Sequence, residues 1–128
     1  MLPQSIAVLG ILIIGLATTS IASRFDKSCR EHPQLVSKCF KVRGRLAVYN
    51  GAPALRIWKI GTKRMLGVSE QRFALAGFRN IPEDLQAKID QDKFLYADFV
   101  VCPFTSPRSN EMQLVCIEKV TNLRIKAR

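Results

Sequence analysis

The chain has 128 residues, 48% of them hydrophobic, with 20 basic and 10 acidic side chains and a formal charge of +10. That length holds one domain with appendages rather than two domains, and the apolar content excludes a disordered chain. His32 is the only histidine and falls outside the globular pattern, so no Ser-His-Asp or Cys-His catalytic set can be assembled within the domain.

Residues 1–23 contain no Lys, Arg, Asp or Glu. Within them, residues 6–17 read I-A-V-L-G-I-L-I-I-G-L-A, an apolar run with the length of a signal-peptide core. Ser20-Ile21-Ala22 places small residues where a signal peptidase reads them, so cleavage after Ala22 is one expectation. Residues 2–22 are also long enough for one membrane span, so a retained N-terminal hydrophobic helix is the other. A buried core helix is the bland alternative. Asp26-Lys27-Ser28 before Cys29 is not the small apolar triplet of a lipoprotein. The flanking charges pull against export. Arg24, Lys27 and Arg30 follow the apolar run and nothing basic precedes it, which by the positive-inside tendency would leave an anchored domain in the cytoplasm. Four cysteines, an even number in a small domain, favour an oxidising compartment instead. The expected location is therefore periplasmic or secreted, or the inner membrane through residues 1–23.

Residues 24–38 are polar and aperiodic and read as a linker, with His32 a solvated residue beside Glu31 and Pro33; residues 39–128 form the basic domain. From residue 40 to 48 the apolar side chains alternate, with Phe40, Val42, Leu46 and Val48 on one face and Lys41, Arg43, Arg45 and Tyr49 on the other. Asn50-Gly51 is a strong hairpin signal, closed by Pro53. Residues 54–60 and 64–69 follow as strands around the Gly61-Thr62-Lys63 turn. Residues 73–78 are apolar and fit either a strand extension or a loop that covers the core. Pro82 as first helical residue, acids at Glu83 and Asp84, and Leu85 with Ile89 on one face predict a short helix ending near residues 90–93. Residues 94–102 and 112–120 are the last strands, and the apolar Leu123 and Ile125 offer the second an extension. The expected fold is β-rich α+β: a five-stranded antiparallel sheet or an OB-like barrel, with one short helix between the third and fourth strands.

A hairpin centred near Ser109 sets Cys102 opposite Cys116, close enough for a bridge and worth about 3 kcal/mol on the chain-entropy model. Cys29 and Cys39 are then left to pair. That connectivity is one of three and is preferred only by proximity. Four reduced thiols or a zinc site are the alternatives; with no C-x-x-C pair the metal reading is weak, and no metal or other cofactor is expected.

No catalytic constellation emerges, and the protein is not expected to be an enzyme or to take a small-molecule substrate. Glu83, Asp84, Asp90 and Asp92 crowd around the helix as dipole partners or solvated acids. Asp98 interrupts an apolar strand and is read as ion-paired on the sheet surface, near Lys119 or Val120. No Gly-rich phosphate loop is present. The charges are uneven: residues 38–79 hold ten basic residues and one acid, whereas residues 80–111 hold three and six. Lys41, Arg43, Arg45, Tyr49, Arg56, Trp58, Lys63 and Arg64 form a candidate basic and aromatic strip. Guanidinium groups on such a strip pair with phosphate or sulfate and rings stack on bases or sugars. The bland reading is a solvated basic face with Trp58 in the core.

The runs V-R-G-R-L-A-V-Y-N-G at residues 42–51 and R-I-W-K-I-G-T-K-R-M-L-G-V at residues 56–68 resemble a group of small exported bacterial proteins of unknown function. That group shares an R-G-R-L…Y-N-G…R-I-W…G-T-x-R-x-L-G-V signature and a later D-F-x-V-x-P segment, here Asp98 to Pro103. The resemblance covers most of the domain and implies a bacterial envelope protein, without a ligand or catalytic residue to carry over. The functional expectation is an exported or membrane-anchored, non-catalytic binding module for an anionic envelope ligand or a protein partner. A structural or assembly component of the envelope, and a cytoplasm-facing nucleic-acid binder, are the alternatives.

Overall fold

A computed structural model of the protein describes residues 3–4, 10–15 and 27–128. The expected N-terminal hydrophobic helix lies largely outside the described residues, among which no helix is long and apolar enough to cross a membrane.

Five strands close into a barrel: β1 (Phe40–Val48), β2 (Leu55–Lys59), β3 (Met65–Val68), β4 (Lys93–Pro103) and β5 (Gln113–Ala127), ordered β1-β2-β3-β5-β4 with β4 returning to β1. The alternation read in residues 40–48 is the reason β1 can sit in a closed wall. Val42, Gly44 and Leu46 point inward and are buried, while Lys41 and Arg43 face solvent. Gly44 is needed for close approach, since a side chain there would run into Ile57 and the Trp58 carbonyl.

The sheet is mixed rather than antiparallel. β3 and β5 run parallel, with Gly67 opposite Leu114, and the other four pairs are antiparallel. The reason is topological. After the four-residue β3 the chain leaves the sheet for the long 69–92 connection, and β5 fills the gap beside β3 only after β4 has paired with β1. Parallel neighbours require such a crossover.

Helix α1 (Glu83–Gln86) is a single turn, shorter than expected, with Pro82 at its N-cap rather than inside it. The two apolar residues still do what their spacing implies. Leu85 is buried and Ile89 packs against the core, so the turn adds its apolar face to the barrel's interior cluster. The barrel interior is filled by Leu46, Ile57, Leu66, Leu95, Phe99, Val101, Val115 and Ile117, all at most 2% exposed. Each such side chain stabilises by about 1.5–3 kcal/mol through removal from water.

Outside the wall lies a second cluster of Cys29, Cys102, Phe104 and Cys116, with Leu35 and Phe73 packed on it. Here residues 27–38 depart from their linker-like composition. Cys29–Glu31 forms a 3-10 turn, and Val36 donates its N–H to the Pro103 carbonyl at 3.0 Å. His32, expected in solvent, is 3% exposed. Its Nδ1 accepts from the Gln34 N–H at 3.1 Å, which leaves the proton on Nε2 to donate to the Phe73 carbonyl at 2.9 Å. Residues 73–78 are loop cover rather than strand; Lys27 forms an isolated parallel bridge with Phe78.

The cysteine connectivity differs from expectation. Cys102 and Cys116 are register partners, as the hairpin predicts. The bridges nevertheless join Cys29 to Cys116 and Cys39 to Cys102. Barrel closure brings β1 alongside β4, with Phe40 opposite Val101, so Cys39 arrives on the other side of Cys102. Cys116 is then free to take Cys29 from the segment laid over it. Cys29, Cys102 and Cys116 have sulfurs within 4.8 Å of one another, but in bridged form they offer no thiolate to a metal.

Candidate functional site: a guanidinium and aromatic face

β1, β2 and β4 present their outward residues side by side. Arg45 stands between Trp58 on β2 and Tyr96 on β4, because the register pairs it with both. Its guanidinium lies 4.9 Å from the Trp58 ring centroid and 4.2 Å from that of Phe94, and it donates to the Tyr49 hydroxyl at 3.3 Å. Burial works against its charge, but its hydrogen bonds to the Tyr49 and Tyr96 hydroxyls outweigh that and raise its pKa, so Arg45 is a permanent cation. Its Nε is buried with no hydrogen-bond partner, pressed against the rings instead.

Two more arginines converge on the same place. Arg56 lies 5.2 Å from the Tyr49 ring, held by hydrogen bonds from Nε to the Pro53 carbonyl at 3.0 Å and from its terminal nitrogen to the Asn50 carbonyl at 3.3 Å. Arg128, at the end of β5, lies 5.4 Å from both the Tyr49 and Phe94 rings and donates to the Val48 carbonyl. Lys126 stands 5.4 Å from Tyr96. Cation–ring contacts of this kind are worth roughly 0.5–1 kcal/mol each at exposed positions. Their main consequence is geometric: the rings and the carbonyl acceptors hold the guanidiniums in fixed positions.

Among the described residues the ion pairs are Arg30 with Glu118, Arg43 with Asp98 and Arg79 with Glu83. None of them involves Arg45, Arg56 or Arg128. Three guanidiniums are therefore gathered without a side-chain carboxylate paired to them among the described residues. Mutual repulsion opposes this arrangement in the free protein, and a bound anion would relieve it.

Of the eight residues expected on the strip, the structure brings together Arg45, Tyr49, Arg56 and Trp58. Trp58 is half-buried on the outer face, its indole N–H donating to the Thr62 carbonyl at 2.8 Å. Arg43 is on the same strand face but engages Asp98 at 3.3 Å. Asp98 also accepts from Asn122 at 2.8 Å; that bond first, then the nearby Lys41 and Arg43, lowers its pKa. Lys41 is thus part of a locally compensated group. Lys63 and Arg64 are exposed in the β2–β3 turn.

Phe94, Tyr96, Lys126 and Arg128 were missed by sequence reasoning. The signals were present: Phe94, Tyr96 and Asp98 alternate with the buried Leu95 and Ala97, and Arg124, Lys126 and Arg128 recur at every second residue. Reading them as one face required the β4–β5 pairing, which sets Tyr96 opposite Arg124 and Phe94 opposite Lys126.

Comparison of the chain with protein-family models, curated proteins and solved structures finds no match.

Proposed function

We propose that the protein is a non-catalytic binding module on an OB-like barrel, exported to an oxidising compartment or anchored at its boundary, that takes an anionic envelope polymer on the Arg45–Arg56–Arg128 face. The observation that carries this reading is the convergence of three guanidiniums on Tyr49, Trp58 and Phe94 with no side-chain carboxylate paired to them among the described residues. The β1-β2-β3-β5-β4 closure, with its single helical turn between β3 and β4, supports the OB-like assignment. Barrels of that type are used to bind oligonucleotides and oligosaccharides. Two disulfides support the oxidising compartment and count against a cytoplasm-facing nucleic-acid binder. The resemblance to small exported bacterial proteins supports the same address.

The test is titration of the protein with a linear polyphosphate across a range of salt concentrations. Affinity is expected to fall linearly on a double logarithmic plot, through release of counterions. Arg45→Ala, Arg56→Ala and Arg128→Ala are each expected to weaken binding and reduce that slope by about one. An affinity indifferent to salt, or unchanged in the triple variant, would overturn the proposal.

A further inference from the structure

Opposite the guanidinium face in chemistry is the loop between β3 and α1. Phe73 stacks on Phe104 with centroids 4.4 Å apart, Phe104 meets His32 at 4.7 Å, and His32 meets Phe78 at 5.1 Å. The His32–Phe73 hydrogen bond and the Asn80 amide, donating to the Ser69 carbonyl at 2.9 Å, fix the loop's two arms. Both aromatic arms are pinned inward, so Ala74-Leu75-Ala76 between them is pushed out, all three exposed and Leu75 at 41%. A groove of about 680 Å³ opens beside them, lined by Leu75, Ala76, Phe78 and Ile81 and, on its polar side, by Glu70 and Glu83. Cations bracket the tip: Arg72 stands 5.2 Å from the Phe73 ring and Lys27 5.1 Å from that of Phe78. An apolar tip flanked by two cations, Lys27 and Arg72, suits the boundary between lipid headgroups and acyl chains.

The chain itself says which occupant reaches this tip. Lys27 donates its N–H to the Gly77 carbonyl at 3.0 Å and accepts from the Arg79 N–H at 2.9 Å, so the segment arriving from the apolar leader is stitched to the loop. The Cys29–Cys116 bridge locks that entry point two residues later. From Ala22 to Lys27 the chain spans at most about 17 Å when fully extended. A leader held in a bilayer would therefore keep Leu75 within reach of the same surface.

We infer that the 72–78 loop docks on the bilayer that holds residues 1–23, inserting Ala74-Leu75-Ala76 at the headgroup boundary with Lys27 and Arg72 against anionic headgroups. The inference rests on the membrane part of the proposed function. Docking in this way fixes the barrel's orientation on the membrane, which the three-residue link at 24–26 would not do by itself.

The test uses the full chain reconstituted into vesicles of phosphatidylethanolamine and phosphatidylglycerol carrying lipids brominated near the headgroup. Leu75→Trp is placed in a Trp58→Phe background, with Ile125→Trp, at the far end of β5 from Cys116, as the comparison. Leu75→Trp is expected to shift its emission to the blue and lose most of its intensity to the bromines, and Ile125→Trp to do neither. The unmodified chain provides a second readout: photoactivatable lipid should leave adducts within residues 72–78 as well as in the leader. Flotation with the vesicles but no quenching and no adducts outside the leader would overturn the docking alone. Failure to float with the vesicles would overturn the membrane reading and the docking together.

Discussion

Cys102 and Cys116 face each other across the β4–β5 ladder, yet each is bonded elsewhere, to Cys39 and Cys29 respectively. The two bridges thus fasten three separate pieces of chain to one end of the barrel: the N-terminal segment, the start of β1 and the β4–β5 hairpin. They close sequence separations of 87 and 63 residues. On the chain-entropy model each constrains the unfolded chain by about 4 kcal/mol, more than the local hairpin bridge would. Proteolysis without reduction should release peptides joined as Cys29–Cys116 and Cys39–Cys102. A Cys29→Ser and Cys116→Ser double variant should lose a few kcal/mol in denaturant titration.

His32 is a structural residue under the loop cover rather than a solvated one. Replacing it with alanine orphans the Gln34 N–H, leaves the Phe73 carbonyl only the longer bond from the Asn80 amide at 3.4 Å, and removes the ring between Phe78 and Phe104. His32→Ala is expected to cost about 2–4 kcal/mol in urea unfolding. Faster amide exchange at residues 27–36 and 70–80 should accompany it, while the β1–β4 ladder stays protected.

The Asp98 carboxylate is held below its ordinary pKa by Asn122, Lys41 and Arg43. A depressed folded value means that its contribution to stability is complete above the unfolded pKa and disappears as the pH falls through the folded one. The wild-type melting temperature should therefore fall more steeply than that of Asp98→Asn as the pH drops below about 4. Near neutral pH the variant should be the less stable of the two. Parallel acid limbs in thermal melts would show that the carboxylate is not coupled to folding.

Gly44 sits where β1 turns its inner face against β2. A Cβ at this position meets the Ile57 side chain and comes within 3.1 Å of the Trp58 carbonyl oxygen. Because the second neighbour is backbone, the strands must part rather than a rotamer change. Gly44→Ala should destabilise by about 1–3 kcal/mol in denaturant titration. It should also disturb the Arg45–Trp58 stack one residue away, read as a change in the Trp58 fluorescence.

Much of the strand arrangement follows from residue order alone. Period-two alternation in Phe40–Val48 assigns the inner and outer faces of β1, and the apolar run before Pro103 marks β4. The Ser109-centred hairpin gives the β4–β5 register correctly as far as Cys102 and Cys116. Arg45, Tyr49, Arg56 and Trp58 were legible as a shared face because β1 and β2 are neighbours in sequence as well as in space.

What only the tertiary structure decided depends on pairings between residues far apart in the chain. Closing the barrel sets β1 beside β4 and β3 parallel to β5, and no local periodicity encodes either contact. Those pairings bring Cys39 to Cys102, which leaves Cys116 to Cys29, and they bring Phe94 and Arg128 to Arg45 and Tyr49. They also leave outward-facing Cys102 and Cys116 to be covered by residues 27–38, so a segment with the composition of a linker becomes part of the packed domain. Hydrophobic alternation specifies which side of a strand is buried. Which strand, bridge or segment covers it is settled by the packing of the whole chain.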